Sequence, residues 1–155
     1  MKTRQPLKRH QALQPLSREH HQGLLLCWKI RMGMSKGIEV ERIKRYVNWF
    51  YEHHLMPHFE MEEQHIFPIL GEAHELVKKA IAEHRRLGRL FKKETDLEKT
   101  LNRIEEELQQ HIRFEERVLF NEIQQVTSDT ALKKIESLHA ETAFQDNLED
   151  EFWAR

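Results

Sequence analysis

Between Leu101 and Glu122 the chain carries its most regular stripe: Leu101, Ile104, Leu108, His111, Glu115, Val118 and Glu122, at alternating spacings of three and four. That spacing puts every member on one face of an α-helix. Two members are wrong for a core, because His111 and Glu115 stand where Leu or Ile is expected. A buried carboxylate without a partner costs on the order of several kcal/mol even after relaxation. Any fold that buries this stripe must also neutralise Glu115.

The same phrase occurs twice. His58-Phe59-Glu60-Met61-Glu62-Glu63 runs on to Ile66-Phe67, and His111-Ile112-Arg113-Phe114-Glu115-Glu116 to Leu119-Phe120, 53 residues later. Both read H-x-x-x-E-E-x-x-apolar-Phe. A single H-x-x-x-E pair is ordinarily a solvated helix face or a salt bridge. Two copies with the same flanking Glu and Phe, each on an apolar stripe, reverse that expectation. Each copy sets an imidazole and a carboxylate one above the other. Two such pairs facing each other form a cage of nitrogen and oxygen donors, which points to a site for two metals.

Periodicity predicts helices throughout and no strand of useful length. A loose arm over 1–15 precedes a first helix capped by Ser17 and reaching about Met32, with Gly33 and Gly37 marking the turn. A second helix is expected from about Glu39 to Ile66, kinked at Pro57, with Val47, Phe50, Tyr51, His54, His58, Glu62 and Ile69 near one stripe. A third spans about His74 to Lys93 on Val77, Ala80, Ile81, His84, Leu87 and Phe91. A fourth, capped by Thr95 or Asp96, reaches Gln125, and a short fifth capped by Ser128 or Asp129 ends near Ala140. The expected architecture is an all-α, up-down-up-down four-helix bundle over 16–140 with a short additional C-terminal helix. The tail 141–155 is expected to pack on the bundle through Phe152 and Trp153.

Charge narrows the partners. With 25 basic and 26 acidic residues in 155, the net charge is −1, so no global field points to nucleic acid or a membrane surface. No run of about 18 apolar residues is present, and residues 1–16 lack an apolar signal core, so a cytoplasmic protein is expected. The single cysteine, Cys27, excludes an internal disulfide and any CxxC metal or redox motif. It reads as a small core residue.

Further donors come from the other helices. His84 lies on the third stripe, although a lone core histidine is more often hydrogen-bonded than metal-bound. His20 and His21 open the first helix, and only one can face inwards, since neighbours diverge by about 100°. Leu13, Leu16, Leu24 and Cys27 favour His20, while Leu24, Leu25 and Trp28 align better with His21. The inventory is then four His and two Glu. Imidazole and carboxylate without thiolate suit iron, manganese or zinc. Two carboxylates can each bridge two cations, leaving each metal two histidines, two shared oxygens, space for a bridging oxide or hydroxide, and an open position.

These residues resemble the haemerythrin-like family, the HHE cation-binding domains, over roughly 16–125. The resemblance is carried by His54-Leu55-Met56-Pro57-His58 running on through Glu62-Glu63 to Phe67-Pro68, by Glu83-His84, by His111 through Glu116 to Phe120, and by Ser17-Arg18-Glu19-His20. It implies a four-helix bundle holding two iron ions as an oxo- or hydroxo-bridged di-iron centre, with His20, His58, Glu62, His84, His111 and Glu115 as ligands. Iron is favoured over zinc or manganese. Oxygen-carrying members have a second histidine where this chain has Ala80, so reversible oxygen transport loses ground. Binding or reaction with O₂ or NO, in sensing, iron handling or nitrosative and oxidative stress protection, gains it.

Weaker signals stay beside this one. His54 reads as a packing or outer residue near the kink, and Glu63 and Glu116 as partners for ligand histidines or as solvated charges. The E-x-x-H pairs Glu62/His65 and Glu136/His139 lack the matching context of ferritin-like centres. The basic residues Lys2, Arg4, Lys8 and Arg9 are too few for a nucleic-acid footprint. No substrate loop or separate general base is visible, which favours a binding or sensing protein over a substrate-oxidising enzyme. The alternative is a metal-dependent regulatory interaction module without redox turnover; a zinc-filled or metal-free bundle of salt bridges is the plainest rival.

Overall fold

A computed structural model of the chain describes residues 8–138 and 144–154, so Lys2, Arg4, His139 and Ala140 lie outside the described residues. It is an all-helical bundle, and no strand occurs among the described residues. The elements are α1 (Gln14–Ser35), α2 (Val40–Phe50), α3 (Met56–Met61), α4 (Glu75–Lys92), α5 (Leu97–Phe114), α6 (Phe120–Val126) and α7 (Asp129–Leu138). Helix α1 packs on α2 and α5, and α4 on α5.

The first helix starts earlier than its sequence signals predict. A 3₁₀ turn, Gln11–Leu13, is capped by the His10 side chain, and Pro15 sits in the first turn of α1, where its missing N–H costs nothing. Ser17 is therefore inside the helix and not its cap. Its hydroxyl donates instead to the Glu116 carboxylate, at 2.8 and 3.0 Å. Gly33 is likewise helical, pressed so closely on Ile43 and Phe152 that a Cβ there would stand 2.8 Å from both side chains. Gly37, at φ +70°, makes the turn.

The second and fourth predicted helices are each continuous but contain π-helical turns. Glu62–Ile66 and Glu115–Leu119 are π turns, and each begins at the glutamate of the repeated motif. A third, Tyr51–Leu55, precedes Pro57, so the backbone widens where a kink is predicted. A π turn inserts one residue and rotates everything after it by about a third of a turn. This corrects the stripe beyond Glu115. Val118 is 45% exposed, and Leu119, Phe120 and Ile123 are buried in its place. After Glu62 the same shift buries Ile66 and leaves Ile69 only partly covered.

Polar residues divide the core in two. One apolar cluster includes Leu26, Ile30, Val47, Leu87, Ile104 and Leu108; the other includes Leu16, Ile66, Val77, Ala80, Leu119 and Phe120. Along each long helical run the break falls at the same level: His20 between Leu16 and Leu26, His84 between Ala80 and Leu87, and His111 between Leu108 and Leu119. The C-terminal segment covers the first cluster. Phe152 is buried there against Tyr46, while Asp150 accepts two hydrogen bonds from Arg42, and Asp146 pairs with the buried Lys29.

Candidate metal centre

The polar layer consists of His20 from α1, His58 from α3, His84 from α4 and His111 from α5, with Glu62 and Glu115 at the starts of their π turns. All six are buried, and both carboxylates are fully inaccessible. His58/Glu62 and His111/Glu115 are i, i+4 pairs, the geometry the repeated motif predicts. Of the two adjacent histidines in α1, His20 is buried in the layer and His21 is exposed. His65 is half-buried and lies outside the layer.

The donors form two overlapping sets. His20, His58, Glu62 and Glu115 offer atoms all within 4.8 Å of one another, and so do His84, His111, Glu62 and Glu115. The carboxylates belong to both sets. His58 Nε2 lies 3.3 Å from Glu62 Oε1, and His84 Nε2 lies 3.2 Å from the same oxygen and 3.6 Å from Glu115 Oε2. His111 Nε2 is 3.4 Å from Glu115 Oε2, and His20 Nε2 is 2.8 Å from Glu115 Oε1.

Outside this layer, each ring is held by its other nitrogen. Nδ1 of His20 bonds Glu116 at 2.6 Å, that of His58 bonds Glu19 at 2.8 Å, that of His84 bonds Glu63 at 2.7 Å, and that of His111 bonds Glu83 at 2.6 Å. In the neutral imidazole this keeps the proton on Nδ1 and turns the Nε2 lone pair inwards. Glu116 is itself clamped by Ser17 and approached by Arg9, whose guanidinium also bonds the Glu116 carbonyl. Sequence patterning anticipates a hydrogen-bonding role for Glu63 and Glu116 but misses Glu19 and Glu83. The usable signal is adjacency, for each of these four acids is the chain neighbour of a residue in the layer.

Inward-facing atoms are where hydrogen bonding runs out. Among the described residues, the buried side-chain polar atoms without a partner are Arg9 Nε and six atoms of this layer: Nε2 of His58, His84 and His111, both Glu62 oxygens, and Glu115 Oε2. Buried polar atoms are nearly always paired, so a group of orphans facing one another calls for a ligand. Imidazole nitrogens and shared carboxylates are the donor set of a divalent or trivalent transition metal.

Electrostatics fit the same demand for positive charge. Burial alone would lower the His58 pKa, but the Glu62 charge and the Glu19 hydrogen bond raise it to about 9. His20 and His84 also rise well above the ordinary value, because Glu115 and its neighbours outweigh burial. Burial pushes the Glu115 carboxyl up, yet His111, His20 and His84 hold it well below the carboxylate range. Without a metal, protons on the rings must supply the cationic charge. Cys27, by contrast, is an inert packing thiol, pushed up to about 12 by burial.

Aromatic side chains pack on the rings of the layer. Phe59 stacks on His84 at 3.8 Å between ring centroids, and Phe120 on His20 at 5.3 Å. Ala80, one turn from His84, is fully buried in the apolar cluster and brings no fifth histidine.

A family model of the hemerythrin HHE cation binding domain matches residues 11–94, and the chain belongs to that family. Metal cations are what such domains bind, and the buried His/Glu layer offers the donors. The matched stretch contains His20, His58, Glu62 and His84; His111 and Glu115 lie beyond it and join them through the fold. No curated protein and no solved structure matches the chain. No helix among the described residues is long and apolar enough to cross a membrane.

Proposed function

We propose that this chain holds two iron ions between the helices of an up-down-up-down four-helix bundle and binds or reacts with O₂ or NO there. Its role would be sensing, iron handling or protection against nitrosative or oxidative stress, inside the cell. His20 and His58 would serve one ion and His84 and His111 the other, with Glu62 and Glu115 shared. The observation that carries this reading is the set of six inward-facing orphan atoms on five of the six buried residues, in a layer whose every imidazole is fixed by a carboxylate on its outer nitrogen. Support for the topology comes from the pairings Lys44–Phe91, Arg86–Glu107 and His58–Glu19, which suit antiparallel neighbours.

Iron bound here would supply reversible electron exchange and an open coordination position for a diatomic ligand. The chain's own work is positional. Outer carboxylates orient the rings, the π turns aim Glu62 and Glu115 into the layer, and Phe59, Phe67 and Phe120 pack against its imidazoles.

Elemental analysis joined to absorption spectra tests this directly. About two irons per chain are expected, with charge-transfer bands that change on anaerobic reduction and on exposure to O₂ or NO. Zinc or no metal, with a featureless spectrum after iron reconstitution, would refute the di-iron reading. Iron that orders the bundle but never changes with reductant or gas would leave the regulatory interaction module.

A further inference from the structure

Beside the metal layer lies a cavity of about 510 Å³ that a diatomic ligand does not explain. A diatomic molecule is about the size of water, which takes ~30 Å³ in the liquid. Sites for small organic molecules run from about 300 to 1,000 Å³. The floor of the cavity is made by His20, His58 and His111, three of the four layer histidines. Its walls carry Phe50, Phe59 and Phe144, and Phe144 comes from the C-terminal segment. His54, which also lines it, packs at 4.6 Å from the Phe144 ring and 5.0 Å from Trp49, so the aromatic wall is continuous. Polar groups meet the cavity at Arg18, Glu19 and Gln22. Arg18 and Glu19 are adjacent and opposite in charge, so neither a cation nor an anion is favoured overall.

We infer that this cavity is a binding site for a neutral aromatic molecule bearing a single hydrogen-bonding group, of the phenol or indole class, seated against the layer histidines. The site rests on the metal-centre reading for what lies at its floor, and not for its aromatic walls. The ligand's ring would lie against the cluster that Phe50, Phe144 and His54 form with one another, a setting in which offset or edge-on ring contacts add to burial. Gln22 is half-buried at the rim and has a side-chain amide to offer the polar group. Asp146 follows Phe144 by two residues and is bonded to Lys29 and Tyr46, which anchors the Phe144 wall. The placement separates this chain's chemistry from that of a plain gas binder, because an organic molecule here would stand next to whatever occupies the open coordination position.

The probe is 4-fluorophenol, followed by ¹⁹F NMR on the full chain, both metal-free and loaded with Mn(II). Saturable binding to the metal-free protein is expected, with strong paramagnetic broadening of the bound probe once Mn(II) is present. Gln22→Trp, which fills the cavity from its rim, should weaken binding at least tenfold while circular dichroism stays unchanged. Phe144→Ala, in a segment outside the helices, should weaken it several-fold. Binding that Gln22→Trp abolishes, in a protein that takes up neither Mn(II) nor iron on reconstitution, would uphold the aromatic site and sink the metal reading. Absence of saturable binding, or binding indifferent to both substitutions, would overturn the aromatic site whatever the metal content. Probe binding without broadening in Mn(II)-loaded protein would also overturn it, by placing the probe away from the histidine floor.

Discussion

Glu63 Oε2 lies 2.7 Å from Nδ1 of His84, although Glu63 follows Glu62 in the chain and His84 belongs to the next long helix. The same step is repeated around the bundle. Glu19, beside His20, holds His58; Glu83, beside His84, holds His111; and Glu116, beside Glu115, returns to His20. Each helical run thus contributes one histidine to the inner layer, two of the runs a glutamate as well, and one acid beside them that orients its neighbour's imidazole. The circle closes, so no ring in the layer depends on water for its orientation.

The first prediction concerns that circle. Glu63→Gln keeps the shape and an acceptor oxygen but removes the charge that makes His84 a stronger donor to a metal. Loss of such an outer partner typically costs 10–100-fold in metal affinity. Competition against a chromophoric chelator should show a fall of that size for Glu63→Gln, and a similar one for Glu83→Gln. Affinities equal to that of the original protein would show the circle to be ornamental.

His20 and His21 offer a paired test. His20 reaches Glu115 and Glu116 with its two nitrogens, whereas His21 is exposed on α1. His20→Ala should lower the metal content, because it removes one of two histidines from the set containing His58. His21→Ala should leave both metal content and melting temperature unchanged. Equal losses in the two variants, read by elemental analysis, would contradict the assignment.

How far these features were legible depends on whether they are local. The i, i+4 pairing of His58 with Glu62 and of His111 with Glu115 follows from helix geometry alone, whereas patterning leaves His20 and His21 open and the fold buries His20. Val118 and Ile69 were misplaced because a π turn adds a residue without any composition signal. Ser17 has every mark of a helix cap, yet Pro15 and the 3₁₀ turn start the helix earlier and free its hydroxyl for Glu116. Glu19 and Glu83 were silent for a different reason. Their partners lie on other helices, and a single sequence does not state which exposed-looking acid meets which ring.

Metal and pH should act on stability in opposite directions. In the metal-free protein the His58 pKa stands at about 9 against an ordinary 6.5, so the folded state holds that proton more tightly. A raised folded pKa gives stabilisation that is complete below the unfolded value and lost as pH rises through about 9. His20 and His84 shift the same way. Metal binding requires neutral imidazoles, so its contribution grows over the same range. At a free metal concentration a hundredfold above Kd, binding adds about 2.7 kcal/mol, or roughly 5–11 °C in melting temperature for a chain this size. Thermal melts at pH 6, 7.5 and 9 should therefore show the metal-free protein weakening with pH while the increment from metal widens. An increment that stays constant or shrinks would show that protons and metal do not compete for these rings.

The C-terminal segment is a structural part of the bundle, and Gly33 shows how closely it fits. A Cβ on Gly33 would stand 2.8 Å from the Phe152 ring and 2.8 Å from Ile43 Cδ1, both fully buried. Gly33→Ala gains helix propensity worth about 1 kcal/mol. Forcing a methyl into a packed core costs about 1–3 kcal/mol, so the substitution should come out neutral to destabilising by about 2 kcal/mol. Phe152→Ala leaves the cavity instead and should cost about 3–5 kcal/mol. The two are not independent, because truncating Phe152 removes one of the two obstacles to the new methyl. In the double variant Gly33→Ala should therefore cost less than it does alone, read as a coupling energy from urea unfolding of all four proteins. Strict additivity would mean that Phe152 does not sit over Gly33 in solution, and that the C-terminal segment is not held against the α1–α2 end of the bundle.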